Sequence, residues 1–322
     1  MDRSRFLYGP AMRYFALAAE EGSIRAAARK LNVASSAVNR QILSLEDQLG
    51  VQLFERVGRT IRLSTAGEII LAHIKRTLSD FESTIEELDA LKGVRRGSVT
   101  IASVESVSQT LLPEIIGAFR KSFNGIHVSL HISSSRGVIE AIENAEADVG
   151  FTFDPPSSGS IDVAFRRALK IGAILSPNHP LAANPRLTFN ECFQYPVALP
   201  SKGLSLRTQL DAVLENAIPR SKTCIEANSL TFMRMLTRDG QTISFQTTIG
   251  LEEDIAAGRI VFRELDEPHL NDDRLSIITS SMRGLPLAPA MFFDHAVATL
   301  KKLLPEAESS DQTPRKPLKN HR

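Results

Sequence analysis

The sequence predicts an α/β protein with a small helical head, one long connecting helix and a larger two-lobed body. Three observations carry this. Two short helical patterns followed by a hairpin pattern occupy Gly9 to Leu63. After Gly67 a helical pattern free of proline and glycine runs to about Lys92. Beyond Ser98, strand-like and helix-like runs alternate almost to the end. The 322 residues, 43% apolar and 23% charged, suffice for two or three packed units and exclude wholesale disorder.

In the head, Ser23 is a good N-cap for Ile24 to Leu31, whose alanine-rich centre favours helix and lets another helix approach closely. Asn32-Val33-Ala34 breaks the run. The next helix starts near Ser35 or Ser36, places Val38, Ile42, Leu45 and Leu49 on one face, and stops at Gly50. Its opposite face carries Ser35, Ser36, Asn39 and Arg40, the small or forked hydrogen-bonding groups that a helix end needs in a DNA major groove. The plainer alternative is an amphipathic surface helix. Arg56, Arg59 and Arg62 favour DNA, because they sit around a Val57-Gly58-Arg59 turn between Leu53-Phe54 and Ile61-Arg62-Leu63. That pattern reads as a two-stranded wing able to straddle phosphates. Arg25, in the preceding helix, joins the candidate DNA contacts. Met1 to Leu63 holds ten basic residues against six acidic, so a head of +4 precedes a remainder of −3 in a chain of net +1.

In the long helix Ile74, Leu78, Phe81, Ile85 and Leu88 alternate by four and three, a heptad seam that a twin helix in a second subunit would bury. Packing against its own chain is the alternative. The tract Gly93 to Ser98 is the natural hinge. Strands are expected at 99–102, 126–132, 148–153, 170–175, 197–199, 222–227, 242–245 and 274–279, with helices at 111–119, 138–144, 204–214, 230–238 and 288–304. That order implies parallel sheets with helices on both faces and a ligand cleft at the carboxyl ends of the strands, between the lobes. The resulting division is 1–65 head, 66–92 linker, 93–97 hinge and 98–305 body, with 306–322 a disordered tail. Within the body, lobe I covers about 98–166 and 270–305, and lobe II about 167–269.

The short apolar patch Tyr14 to Ala19 is flanked by Arg13, Glu20 and Glu21, which leaves no signal peptide, and no stretch approaches the roughly 18 apolar residues of a membrane span. A cytoplasmic location is expected. Cys192 and Cys224 read as reduced structural thiols, with a redox role the alternative. No phosphate loop, dinucleotide fingerprint, zinc-protease helix or serine-hydrolase elbow occurs. His269 near Asp272 and Asp273 is the nearest approach to a metal cluster and reads as a solvated loop. Neither enzyme chemistry nor a resident cofactor or metal is expected.

Residues Phe15 to Gly67 closely resemble the DNA-binding domain of LysR-type transcriptional regulators. The matching runs are Gly22-Ser23-Ile24, Ala26 to Val33, Ser36 to Ile42, Leu45-Glu46, Leu49-Gly50, Leu53 to Arg56 and Leu63 to Gly67. Looser matches follow in family order at Leu111-Leu112-Pro113, Asp148-Val149-Gly150, His179 to Ala182 and Gly258-Arg259. The resemblance implies a winged helix-turn-helix on double-stranded operator DNA, a dimerising linker helix and a type 2 periplasmic-binding-protein-like domain for a small inducer. It also implies a homodimer assembling to a homotetramer, with RNA polymerase a further partner. Ala34, Ser35 and Asn39 depart from the family's usual serine, glutamine and serine, and Asp239 to Thr247 lacks the second glycine and closing proline often found there.

On this plan the inducer pocket takes Ser103 and Ser106 after the first strand, Ser134 and Ser135 after the second, Phe153, and Ser201, Lys202 and Ser205 in one loop. Lys202 and Arg207 would add positive charge and favour a small organic acid, which Glu105 on the same rim opposes. The serines could instead only cap helices and make turns. Two rival functions are a small-molecule binding or transport-related protein, which leaves the wing arginines without purpose, and an architectural DNA-binding protein with an empty sensor.

Overall fold

The computed structural model describes residues 9–57, 60–91, 97–214, 223–267, 270 and 272–305. The expected tail 306–322, most of the hinge, Arg59, His269 and the side chains of Arg56, Leu88 and Cys224 lie outside the described residues.

The head opens with α1 (Pro10–Glu21), α2 (Ile24–Leu31) and α3 (Ser35–Leu49), followed by a hairpin of β1 (Phe54–Val57) and β2 (Thr60–Leu63). Ser23 caps α2 by accepting from the Ala26 N–H at 3.3 Å, and Gly50 ends α3 in the left-handed conformation at φ +67°. Ala27 and Ala28 are buried, so α2 lies close against its neighbours. Phe15, from α1, meets Phe54 with ring centroids 5.1 Å apart. Glu46 ties α3 to the wing, its carboxylate accepting from the Leu53 N–H at 2.7 Å and the Phe54 N–H at 3.1 Å. Of the expected apolar face of α3, Val38, Ile42 and Leu45 are buried. Leu49 is 40% exposed, because the last turn runs beyond the head core.

The linker α4 (Thr65–Leu91) is one unbroken helix of 27 residues. Its seam is not uniform, which corrects the expectation. Ile74 is 1% exposed within the core of its own head and Leu78 packs against that core, since the first turns of α4 close the open side of α1 and the wing. Phe81 and Ile85, farther along, are half-buried. Lys75 of α4 pairs with Glu146 of the body at 2.5 Å.

The body continues with β3 (Gly97–Ser103), α5 (Glu105–Gln109), α6 (Leu111–Ser122), β4 (Ile126–Ile132), α7 (Ser135–Glu143), β5 (Val149–Phe153), β6 (Ile161–Leu169) and β7 (Gly172–Leu175). Then come β8 (Arg186–Leu187), α8 (Phe189–Cys192), β9 (Val197–Pro200), α9 (Ser205–Leu214), β10 (Thr223–Ala227), α10 (Leu230–Thr237) and β11 (Ile243–Gln246). The chain closes with α11 (Glu252–Ala256), β12 (Val261–Leu265), β13 (Asp273–Ser280) and α12 (Leu287–Leu303). One sheet has the order β4-β3-β5-β13-β6 and the other β10-β9-β11-β7-β12-β8. Each has its own apolar core, one around Phe119, Phe151 and Phe292 and the other around Phe189, Leu210 and Phe245.

The sheets are mixed rather than parallel. β3, β4 and β5 run parallel, as do β9, β10 and β11, but β13 is antiparallel to β5 and β6, and β7 to β11 and β12. The reason is the return path: β6 leads out of the first sheet and β13 leads back in beside it, and such neighbours run in opposite directions. β6, β8 and β12 are absent from the sequence reading. β6 is an edge strand in which Arg167 interrupts the apolar face of Ile161, Val163, Phe165 and Leu169.

Candidate nucleic-acid interface and effector cavity

α3 begins after Ala34, which offers no side-chain cap, and its first turn presents Ser35 and Ser36 to solvent with Arg40 one turn on. Asn39 is half-buried and lines a cleft of about 370 Å³ with Ile24, Leu43, Glu46, Gln52 and Ile61, in the crook between α3 and the wing. Arg25 and Arg62 are exposed. The sequence reading missed Leu43, which is 48% exposed one turn after Asn39. An apolar side chain on a base-reading face can meet a thymine methyl, and spacing alone could have found it.

In the body, β3 lies between β4 and β5, and β9 between β10 and β11, so both sheets reverse strand order at a central parallel strand. Crevices form at the carboxyl ends of strands at such points. A single cavity of about 420 Å³ gathers these ends: Val104 to Ser106 after β3, Ile132 to Ser135 after β4, Phe153 of β5, Leu204 to Leu206 after β9, Asn228 to Leu230 after β10, and Gln246 and Thr247 at β11, with Asp273 opening β13.

Of the sequence-expected residues, Ser106, Ser134, Ser135, Phe153 and Ser205 line this cavity. Ser103, Ser201 and Lys202 do not. Ser103 is fully buried and its hydroxyl donates to the Val104 carbonyl at 3.0 Å. The Ser201 N–H donates to the Ala227 carbonyl at 2.8 Å in the turn leaving β9, and Lys202 stands exposed on that turn. Arg207 is also directed elsewhere, to Asp211 at 2.7 Å, Glu226 at 3.3 Å and the Pro200 carbonyl at 2.9 Å. Ser134 also caps α7, its hydroxyl accepting from the Gly137 N–H at 3.2 Å.

The sequence reading missed Asn228, Ser229, Gln246, Thr247 and Asp273. Glu105, expected on the rim, clamps the lobes: its carboxylate accepts from the Ser229 hydroxyl at 2.9 Å and the Leu230 N–H at 2.7 Å, at the N-terminus of α10. Asp273 is not in a solvated loop. It is 3% exposed, and burial first, then the neighbouring Asp154 carboxyl, raises its own carboxyl well above the usual range. Cys192 is fully buried, and burial pushes its thiol up to about 12, which suits the structural role. Among the described residues no group of three or more His, Cys, Asp and Glu could hold a metal, and no helix is long and apolar enough to cross a membrane.

Residues 10–68 match the bacterial regulatory helix-turn-helix protein, lysR family, and residues 92–301 match the LysR substrate binding domain. The chain is 25% identical over 271 residues to a probable nitrogen assimilation transcriptional activator of Synechococcus elongatus, covering 83% of this chain and 87% of that protein. It is 25% identical over 294 residues to a probable RuBisCO transcriptional regulator of Chlorokybus atmophyticus, covering 88% and 92%. Among solved structures, a full-length OxyR variant from Pseudomonas aeruginosa matches with a TM-score of 0.68 at 18% identity over 90% of this chain and 93% of that one. Full-length CbnR complexed with its target DNA matches with a TM-score of 0.61 at 22% identity over 90% and 98%. At these identities the structural likeness establishes the fold. The two matched segments together span head and body, and the chain belongs to the LysR family of transcriptional regulators, which are not enzymes but carry a DNA-binding helix-turn-helix and an effector-binding domain.

Proposed function

We propose that Asn39 and Arg40 of α3 read base edges while Arg25, Ser35, Ser36, Arg56, Arg59 and Arg62 hold the DNA backbone, and that the cavity between the lobes binds the effector that modulates the head. The observation that carries the first half is the exposed polar first turn of α3, with Asn39 facing the wing cleft beside it. The second half rests on six parallel strand ends converging on one cavity. Asn39→Ala should cost about 1–3 kcal/mol on the cognate site and little on random DNA. Fluorescence anisotropy with the gene's own upstream DNA, against a scrambled duplex of equal length, measures this. An unchanged sequence preference would place the reading face elsewhere.

We further propose a homodimer joined along the later turns of α4, assembling to a homotetramer in the cytoplasm. The half-buried Phe81 and Ile85 are the seam positions beyond the head core, and the heptad spacing of the sequence continues to Leu88. Lysine at both Phe81 and Ile85 would bury unpaired charge in that joint, so the expected result is a smaller assembly by sedimentation and a parallel loss of operator affinity. Sedimentation at the wild-type mass removes the seam from the interface. The activator name carried by a relative supports RNA polymerase as the further partner.

A further inference from the structure

We propose that the cavity takes an effector bearing a protonated amine, with the Asp273 carboxylate as its counter-ion. This rests on the cavity being the effector site. Among the described residues lining it, the ionisable side chains are Glu105 and Asp273, and no lysine, arginine or histidine is present. The bases expected there are committed elsewhere or stand in solvent, Arg207 to Asp211 and Glu226 and Lys202 on its exposed turn, and Arg136 of the adjoining cavity is paired with Glu140 at 2.7 Å. A carboxylate ligand would therefore meet two carboxyl groups and no compensating cation.

The two acidic groups are not equivalent. Glu105 is satisfied by the Ser229 hydroxyl and the Leu230 N–H. Asp273 is 3% exposed, and its Oδ1 is buried without a hydrogen-bond partner. Its neighbour Asp154, whose Oδ2 accepts from Gln209 Nε2 at 2.9 Å and the Arg274 N–H at 3.3 Å, shares a side-chain hydrogen bond with the Asp273 carboxyl but leaves Asp273 Oδ1 without a partner. A buried carboxyl group with an unused oxygen on a cavity wall requires a donor. An ammonium supplies both the hydrogen bond and the charge that would let Asp273 ionise beside Asp154. The Gln246 side-chain N–H₂ donates to the Ile249 carbonyl at 3.1 Å, which leaves its amide oxygen as a second acceptor, and the serine and threonine hydroxyls add more. About 420 Å³ admits a small organic molecule.

Thermal shift of the full chain with primary amines, benzylamine and 1,4-diaminobutane among them, against phenylacetate and succinate tests this. The amines should raise the melting temperature by several degrees and the carboxylates should leave it unchanged. Asp273→Asn should weaken the amine effect about tenfold or more. Without ligand this variant should melt at or above the wild-type temperature, because it removes a buried carboxyl whose raised folded value works against folding at neutral pH. Amines without effect, or an amine shift retained in Asp273→Asn, overturn the proposal. A carboxylate shift that disappears in Asn228→Trp, which fills the cavity from its exposed rim, overturns the amine while keeping the cavity as effector site. Any ligand shift that survives Asn228→Trp removes the cavity reading as well.

Discussion

Asp254→Ala is expected to destabilise the second lobe by about 3–5 kcal/mol, the range for breaking a buried ion pair from one side. Asp254 sits on α11, is 3% exposed, and receives three guanidinium groups. Arg238 Nη2 approaches its oxygens at 2.5 and 2.7 Å, Arg234 Nε at 3.1 Å, and Arg259 Nε completes the set. Arg238 and Arg259 are partly exposed and would turn to solvent after the substitution. Arg234, 16% exposed, would keep its charge in the interior without a counter-ion, its Nη1 still donating to the Gly250 carbonyl. Urea unfolding followed at the second lobe measures the loss, and a change within about 0.5 kcal/mol would show that solvent already screens the cluster.

The same cluster sets an acid limit. Burial would raise the Asp254 carboxyl, but the hydrogen bonds from Arg238 and Arg259 and the charges of Arg234 and Arg238 outweigh it and hold the group below its ordinary value. Its stabilisation is therefore fully present above the unfolded value near ~3.9 and is lost as pH falls through the lower folded value. The wild type should lose more stability across that window than Asp254→Ala, the difference being the Asp254 contribution. Gly258-Arg259, part of the family resemblance, acquires a physical reason here: Gly258, at φ +64°, ends the turn after α11 and returns Arg259 to Asp254.

Gly67→Ala is expected to destabilise the head by about 3 kcal/mol, a large share of the roughly 5 kcal/mol available to a unit this small. Gly67 lies in the first turn of α4, where alanine would ordinarily stabilise the helix by about 1 kcal/mol, so the sign of the effect is diagnostic. A Cβ there would collide with the Leu53 carbonyl oxygen and come within 2.9 Å of Leu63 Cδ2. The carbonyl has little room to give. It accepts from the Ser64 N–H at 3.0 Å, and the Ser64 hydroxyl is held between the Gly67 N–H at 3.0 Å and the Gln52 carbonyl at 2.6 Å. Yielding would break the joint between wing and linker, so operator affinity should fall with head stability. A variant that melts higher and binds DNA normally would show that the joint relaxes without loss.

What the sequence determined by itself lies mostly where structure is local. The helices of the head follow from a capping serine, a stop glycine and apolar spacing, all within a few residues of the elements they define, and the wing follows from one turn between two short apolar runs. The alternation beyond Ser98 is legible for the same reason, and it implies a cleft at the carboxyl ends of the strands. Tertiary structure decided the rest. Whether Ile74 and Leu78 face a twin helix or their own head depends on how α4 leaves the wing, and the seam pattern is the same in both cases. Arg207 and Asp273 exchanged their expected places: the arginine turned to Asp211 and Glu226, and the aspartate, eight residues beyond the end of β12, was carried to the cavity wall where β13 re-enters the first sheet. Chain pattern reports periodicity along one element, whereas the charge of a cavity is set by which side chains distant segments bring to it, and here that gathering reversed the sign the sequence suggested.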